Sequence, residues 1–190
     1  MECAVFATEI GWMAAAASAG RLKRLTIGDP SRAAAVRSLW AAAPRTSRDS
    51  AGSLRWLEDP KAESNWWSEL MERLQAYAAG EVVCFDSIDL DLDHATRFQR
   101  RVLDACRRIP LGSTSTYGEL ALAAGAPGSA RAVGNVMARN TCPIVIPCHR
   151  VVQSGGRLGG FSAPRGVHLK RELLAMEARA VGALPLLSGC

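Results

Sequence analysis

No C-x-x-C pair occurs among the six cysteines of this 190-residue chain, Cys3, Cys84, Cys106, Cys142, Cys148 and Cys190. Their spacing fits neither a disulfide-stapled scaffold nor a zinc knuckle, so free thiols are expected. The opening "MECAVFATEIGWMAAAASAG" lacks a basic stretch, carries Glu2 and Glu9 and is interrupted by Gly11. That argues against a signal peptide or membrane span and leads us to expect an intracellular protein, cytoplasmic or, in a eukaryotic source, nuclear. Acidic residues are scarce in the second half: 97–190 hold 13 Lys+Arg against 4 Asp+Glu, net +9, whereas 1–96 hold 10 against 14, net −4. Such asymmetry points the second half towards a polyanion, most simply nucleic acid. A solvated basic surface is the alternative.

What is present is ordinary for a globular chain, 48% apolar and 22% charged, and long enough for one domain or two small ones. "CAVFATEIGWMAAAASAGRLKRLTIG" reads as a hairpin or meander. "SRAAAVRSLWAA" (31–42) reads as a helix capped by Ser31. The polar, punctuated stretch 43–64 reads as a loop or an irregular excursion. In "NWWSELMERLQAYAAG" (65–80), Trp66, Leu70, Leu74 and Tyr77 share helical spacing and Gly80 is a stop. "EVVCFDSIDLDLDH" (81–94) reads as a strand followed by an acidic connector. The fold class expected is α/β: a small N-terminal α/β domain (sheet plus helices) over 1–95, then a mostly helical C-terminal domain with a helix-turn-helix over 96–182. A disordered tail, 183–190, would leave Cys190 exposed.

"TRFQRRVLDACRRIP" (96–110) puts Phe98, Val102, Cys106 and Ile109 on one stripe with five arginines elsewhere. "STSTYGELALAAGAPGSARAVGNVMARN" (113–140) carries helix-turn-helix punctuation. Thr116 and Glu119 form a capping box, "GAPG" breaks the first helix, and Ser129 can cap a second. Val133, Val136 and Met137 form the buried edge of that second helix, opposite Arg131, Asn135 and Arg139. Its small residues would let it lie against a nucleic-acid backbone and groove, or simply pack tightly on another helix.

"TCPIVIPCHRVVQSGGRLGGFSAPRG" (141–166) runs from a strand-like segment through Cys148 into a Gly-rich loop. A lone cysteine beside an apolar run is ordinarily a packing residue. Here Pro147 fixes the preceding backbone, His149 offers a base and Arg150 adds positive charge, as a nucleophilic thiolate requires. Neighbours on a strand face opposite ways, so the chain must turn at Cys148 or relay through water. In "GVHLKRELLAMEARAVG" (166–182), Glu177 shares the apolar stripe of Leu173, Leu174 and Val181. A carboxylate there needs a partner, and orienting an imidazole is a standard use for one; reaching solvent from the helix edge is the other reading.

With "FQRRVLDACRRIPLGSTSTYGELA", "ARAVGNVMARN", "IPCHRVV" and "LLAME" in unbroken order from Phe98 to Glu177, the chain resembles the O6-alkylguanine-DNA alkyltransferases, also called methylated-DNA-protein-cysteine methyltransferases. The N-terminal part is similar only through "TEIGWMAAAAS" and the helix ending in "YAAG". The resemblance implies direct-reversal repair without a cofactor: Cys148 takes an alkyl group from O6 of guanine, or O4 of thymine, in double-stranded DNA, once per molecule. It implies that His149 promotes the thiolate through a water, that Glu177 orients His149, and that Asn140 supports the active-site turn. The second helix would enter the minor groove with Arg131 as a finger filling the gap of a flipped base, beside Ala132 and Asn135. Tyr117 would assist rotation and donate towards N3. Val151 and Ser162 would contact the base through backbone groups, and Phe161 would line the pocket. A monomer is expected.

Two departures stand out. The loop 161–170 is about two residues longer than the family's usual version, placing Pro164 and Arg165 beside the pocket. Some members hold a structural zinc, but Cys3, Cys84 and His94 form no recognisable ligand set here, so no metal is expected. Competing readings are a damage-binding protein without chemistry, a helix-turn-helix regulator and a thiol hydrolase. The first conflicts with Cys148, and the second leaves Cys148, His149 and Glu177 unexplained. The third would need multiple turnover.

Overall fold

Two tight turns build the N-terminal sheet. In the first, Gly11 holds φ 115°, and a Cβ there would lie 2.9 Å from the Asp29 carbonyl oxygen. In the second, Ala19 (φ 51°) and Gly20 (φ 70°) are both left-handed, as a two-residue hairpin turn matching strand twist requires. A computed structural model of the chain describes residues 1–41 and 54–182, in two compact units, Met1–Asp91 and Leu92–Cys190. The expected tail with Cys190, and 43–53 of the expected loop, lie outside the described residues. Among the described residues no helix is long and apolar enough to cross a membrane, and no group of His, Cys, Asp or Glu could hold a metal ion.

In the first unit, β1 (Glu2–Thr8), β2 (Gly11–Ser18) and β3 (Arg21–Asp29) form the expected antiparallel meander. Sheet order is β3-β2-β1-β4. Alanine is a weak strand former, yet Ala14 to Ala17 fill the central strand because both faces are covered, and all four are buried. Helix α1 (Arg32–Ala41) packs Ala35 and Leu39 against Cys3, Ala14 and Ala16, an approach that larger side chains would block. Ser31 Oγ accepts from the Ala34 amide, as the sequence suggests. Residues 54–64 carry regular elements that were not expected: β4 (Arg55–Trp56) pairs in parallel with β1, and α2 (Pro60–Glu63) follows, capped by Asp59.

Helix α3 (Asn65–Ala78) buries Trp67, Leu70, Leu74 and Tyr77. Trp67 rather than Trp66 takes the core position, with its indole N–H donating to Glu2 (2.9 Å). The strand expected at the start of 81–94, ahead of the acidic connector, does not form. The backbone of this run meets the sheet only around Leu90, where the Leu22 amide donates to Asp89 and the Asp91 amide to Leu22, both at 2.8 Å. Val82 is left outside, so alternation had no second face to bury against.

The second unit begins with α4 (Arg97–Arg107), started by a full capping box between Thr96 and Gln99 and burying Val102, Leu103, Ala105 and Cys106. Strand β5 (Ser115–Thr116) leads into α5 (Tyr117–Ala123), whose capping box pairs Thr116 with Glu119 as expected. Helix α6 (Ala130–Ala138) packs with α4 and α5. Ser129 stands at its N-cap, but its side chain makes no capping bond. The segment before Cys148 is a compact turn rather than a strand: Pro143 and Pro147 have no amide to donate to a ladder, and only an isolated bridge links Pro143 to Ile146. After the turn, β6 (Val151–Val152) pairs in parallel with β5, Ser115 facing Val151 and Thr116 facing Val152. Helix α7 (Gly166–Gly182) closes the unit. Its inner stripe is Leu169, Lys170, Leu173 and Glu177; Val181, expected on it, is 42% exposed.

Candidate active site

Cys148 opens a single 3-10 turn, Cys148–Arg150. The Cys148 amide donates to the Ile146 carbonyl and the Arg150 amide to Pro147, so of the two sequence alternatives the chain takes the turn, and Cys148 and His149 are freed from strand alternation. Upstream, the Ile146 amide returns to the Cys142 carbonyl (2.8 Å) around Ile144, a buried β-branched residue at φ 72°. Such a conformation costs energy that the surroundings must supply.

Asn140 supplies part of it. Its Nδ2 donates to the Ile146 carbonyl (2.9 Å) and to Cys148 Sγ (3.1 Å), while its Oδ1 accepts from the Cys142 amide (3.0 Å). One side chain thus holds the turn and touches the sulfur. Burial raises the Cys148 pKa; the Asn140 bond and the charge of Lys170 act the other way without cancelling it. The resting group is a thiol, and a base is needed to make it nucleophilic.

A group with a basic nitrogen stands next in sequence. His149 is fully buried, and its Nε2 lies 2.7 Å from Glu177 Oε1. Burial lowers its pKa, outweighing the opposite pull of Glu177, so the imidazole is neutral near pH 7. With Nε2–H donating to the carboxylate, Nδ1 carries the basic lone pair. Burial alone would raise the Glu177 carboxyl, but hydrogen bonds and charge from His149 and Arg150 hold it well below the usual carboxylate range. Arg150 accounts for the ionised form whatever the state of His149. Its Nε donates to both carboxylate oxygens (3.2 and 3.0 Å), its Nη2 to Oε1 (2.9 Å) and its Nη1 to the Ile109 carbonyl (2.6 Å). The Gly112 amide adds a longer bond to Oε2 (3.3 Å).

Sequence reasoning missed two members of this cluster. Arg150 was credited only with local charge, although its neighbour His149 and a buried Glu177 together called for a fixed counter-ion. Lys170 is fully buried and donates from Nζ to the Val151 carbonyl (2.6 Å). Its position seven residues before Glu177 on the same helical stripe was the available signal. Burial lowers its pKa.

The remaining candidates lie around this cluster. Val151 is buried, and its carbonyl accepts from Lys170 Nζ. Tyr117, first in α5, is placed by the β5–β6 pair, and burial raises its pKa. A Cβ on Gly159 would come within 3.4 Å of its hydroxyl, so the Gly-rich loop passes directly over the phenol. Phe161 is half-buried; Ser162 Oγ donates to the Ala138 carbonyl (3.0 Å), tying the long loop to the end of α6. Arg165 pairs with Glu172 on α7, so the loop is held at both ends. Arg131, Ala132, Asn135 and Arg139 form an exposed face of α6, opposite buried Val133, Val136 and Met137. Asn140, Cys148, His149 and Glu177 are thus brought together by hydrogen bonds, whereas Arg131, Ala132 and Asn135 sit on the outward surface.

The family model described as "6-O-methylguanine DNA methyltransferase, DNA binding domain" matches residues 97–179. The methylated-DNA–protein-cysteine methyltransferase of Mycolicibacterium paratuberculosis is 47% identical over 124 residues, covering 65% of this chain and 70% of the relative. That of Methanothermobacter thermautotrophicus is 46% identical over 109 residues, covering 57% and 60%. Among solved structures, Mycobacterium tuberculosis OGT in complex with DNA superposes with a TM-score of 0.73 at 34% identity, covering 95% of this chain and 94% of that one. The O6-methylguanine-DNA methyltransferase of Pyrococcus kodakaraensis gives 0.71 at 27% identity, covering 92% and 98%. A thiol held by Asn140, a buried His149–Glu177 pair and a helix-turn-helix in one unit thus coincide with likeness over nearly the whole fold, and the chain belongs to the methylated-DNA–protein-cysteine methyltransferase family.

Proposed function

We propose that this protein repairs DNA by moving an alkyl group from O6-alkylguanine to Cys148 in one irreversible step. The observation that carries the reading is the hydrogen-bonded chain Asn140, Cys148, His149, Glu177 and Arg150, folded against a helix-turn-helix with an exposed face of small and basic residues. In the step, the thiol proton passes through a water to His149 Nδ1, while Glu177 accepts from Nε2–H and stabilises the imidazolium that results. The sulfur lone pair forms the S–C bond as the C–O6 bond breaks, and guanine leaves with the electron pair, taking up a proton. The product is a thioether, and no group in the cluster is disposed to hydrolyse it, so each chain turns over once.

The partner is double-stranded DNA carrying O6-alkylguanine, with O4-alkylthymine as a second substrate. Helix α6 enters the minor groove, where Ala132 permits close approach, Asn135 contacts the backbone and Arg131 fills the gap left by the flipped base. Tyr117 assists rotation and donates to N3 of the leaving base. Val151 and Ser162 hold the base through backbone groups; the Ser162 hydroxyl is already used by Ala138. Phe161 lines the pocket. The protein acts as a monomer, without a cofactor or metal, in the cytoplasm, or in the nucleus of a eukaryotic source.

Intact-protein mass spectrometry after incubation with a duplex holding one O6-methylguanine tests this. The expected result is a gain of one methylene, confined to the Cys148 peptide and saturating at one per chain. Cys148→Ser should abolish the gain while DNA binding persists. Bound DNA with no gain in the unaltered protein would replace this reading by damage binding without chemistry.

A further inference from the structure

Outside the active site, the outer face of α4 carries a line of exposed arginines. Arg97, Arg101 and Arg108 are exposed and fall within about 40° of one another around the helix axis, at roughly 100° per residue. They form a line about 16 Å long. Neither Arg97, Arg101 nor Arg108 pairs with a carboxylate among the described residues. Arg100, beside them, reaches Asp93 (3.6 Å) and the Ala95 carbonyl (3.2 Å). Asp104 is the one acidic residue on that face.

Three unpaired guanidinium groups on one edge repel one another and contribute nothing to the core, which α4 supplies from its opposite face through Val102, Leu103 and Cys106. Their position relates them to the recognition helix. Arg101 Nη1 lies 3.9 Å from where a Cβ on Gly125 would stand, at the turn leading from α5 to α6. Helix α4 itself packs on both α5 and α6.

We infer that Arg97, Arg101 and Arg108 form a second DNA contact, a phosphate-binding edge that meets the duplex backbone outside the stretch covered by α6. The inference rests on the DNA-repair reading above and adds to it a surface that reads no bases. Charge complementarity selects the occupant: arginines spaced along a rod match the regular negative charge of a duplex backbone, and such contacts position a protein without conferring sequence preference. The edge then lengthens the footprint and supplies non-specific affinity during the search for lesions.

The test measures binding by fluorescence anisotropy against salt concentration, on a short duplex just spanning the α6 site and on one twice as long, each with a central O6-methylguanine. The unaltered full-length chain is compared with Arg101→Ala and with Arg97→Ala/Arg101→Ala/Arg108→Ala. On the long duplex the slope of log affinity against log salt should fall by about 0.9 per lost contact, up to about 2.7 for the triple variant. That corresponds to an affinity loss between about 50 and 200 mM salt that is about 40-fold smaller than for the unaltered chain. On the short duplex the slopes should coincide, and methyl transfer to Cys148, read by mass, should remain complete. Unchanged slopes on the long duplex overturn the inference and leave the face to an acidic protein surface. Failure of the unaltered chain to accept methyl from the short duplex would instead sink the repair reading itself.

Discussion

At the scale of single residues, Glu177 is the position on which most depends. It takes bonds from His149, Arg150 and the Gly112 amide, and its removal strands a buried guanidinium. Breaking one side of a buried ion pair costs about 3–5 kcal/mol, against a total stability of about 5–15 kcal/mol for a domain. Glu177→Gln should therefore lower the urea midpoint sharply. It should also slow methyl transfer under conditions where the variant remains folded, because an amide can hold His149 in either tautomer. A variant as stable and as fast as the parent would remove Glu177 from both roles. The sequence showed that Glu177 sat on an apolar stripe and needed a partner. It could not show that Arg150 would be a second partner, because that pairing spans 27 positions and depends on how α7 lies over the turn.

Among the elements, α6 shows what periodicity can and cannot say. Val133, Val136 and Met137 are buried and Arg131, Asn135 and Arg139 exposed, as helical spacing alone predicts. The exposed face owes its reach to small side chains, which bring the helix backbone close to whatever it meets. Arg131→Ala should weaken transfer from duplex DNA far more than transfer from the free modified base, measured as rates of mass gain on the two substrates, because only in the duplex is there a gap to fill. Equal losses would end the finger role. The failures belong to elements without such a two-faced environment. The run that begins at Glu81 alternates like a strand yet pairs with the sheet only at Leu90, whereas the punctuated 54–64 segment gains strand β4 because β1 presents it an open edge. Pairing with a distant strand is a tertiary event, and local composition does not encode it.

For the whole molecule, buried ionisable groups set the response to acid. His149 is held below its ordinary value of 6.5 and Glu177 below 4.5, so the unfolded chain binds more protons than the native one as pH falls through those values. Stability conferred by the deprotonated forms is complete above the unfolded-state values and is lost as pH drops towards the native ones. Chemical denaturation followed from pH 8 downwards should show stability declining below about 6.5 and more steeply below about 4.5, with the steeper limb reduced in Glu177→Gln. A flat profile over that range would mean that the cluster is open to water in solution.

The order of motifs from Phe98 to Glu177, the charge asymmetry between halves and the capping box of Thr116 and Glu119 were determined by sequence alone, because each rests on neighbours a few positions apart or on residue type. Tertiary structure decided the rest. It placed Asn140 on the sulfur of Cys148, set Arg150 across Glu177, buried Lys170 beneath Val151 and bound the long loop to α6 through Ser162. The physical reason is the same in every case. Burial makes a polar group seek a partner, but only the packed chain determines which partner lies within 3 Å.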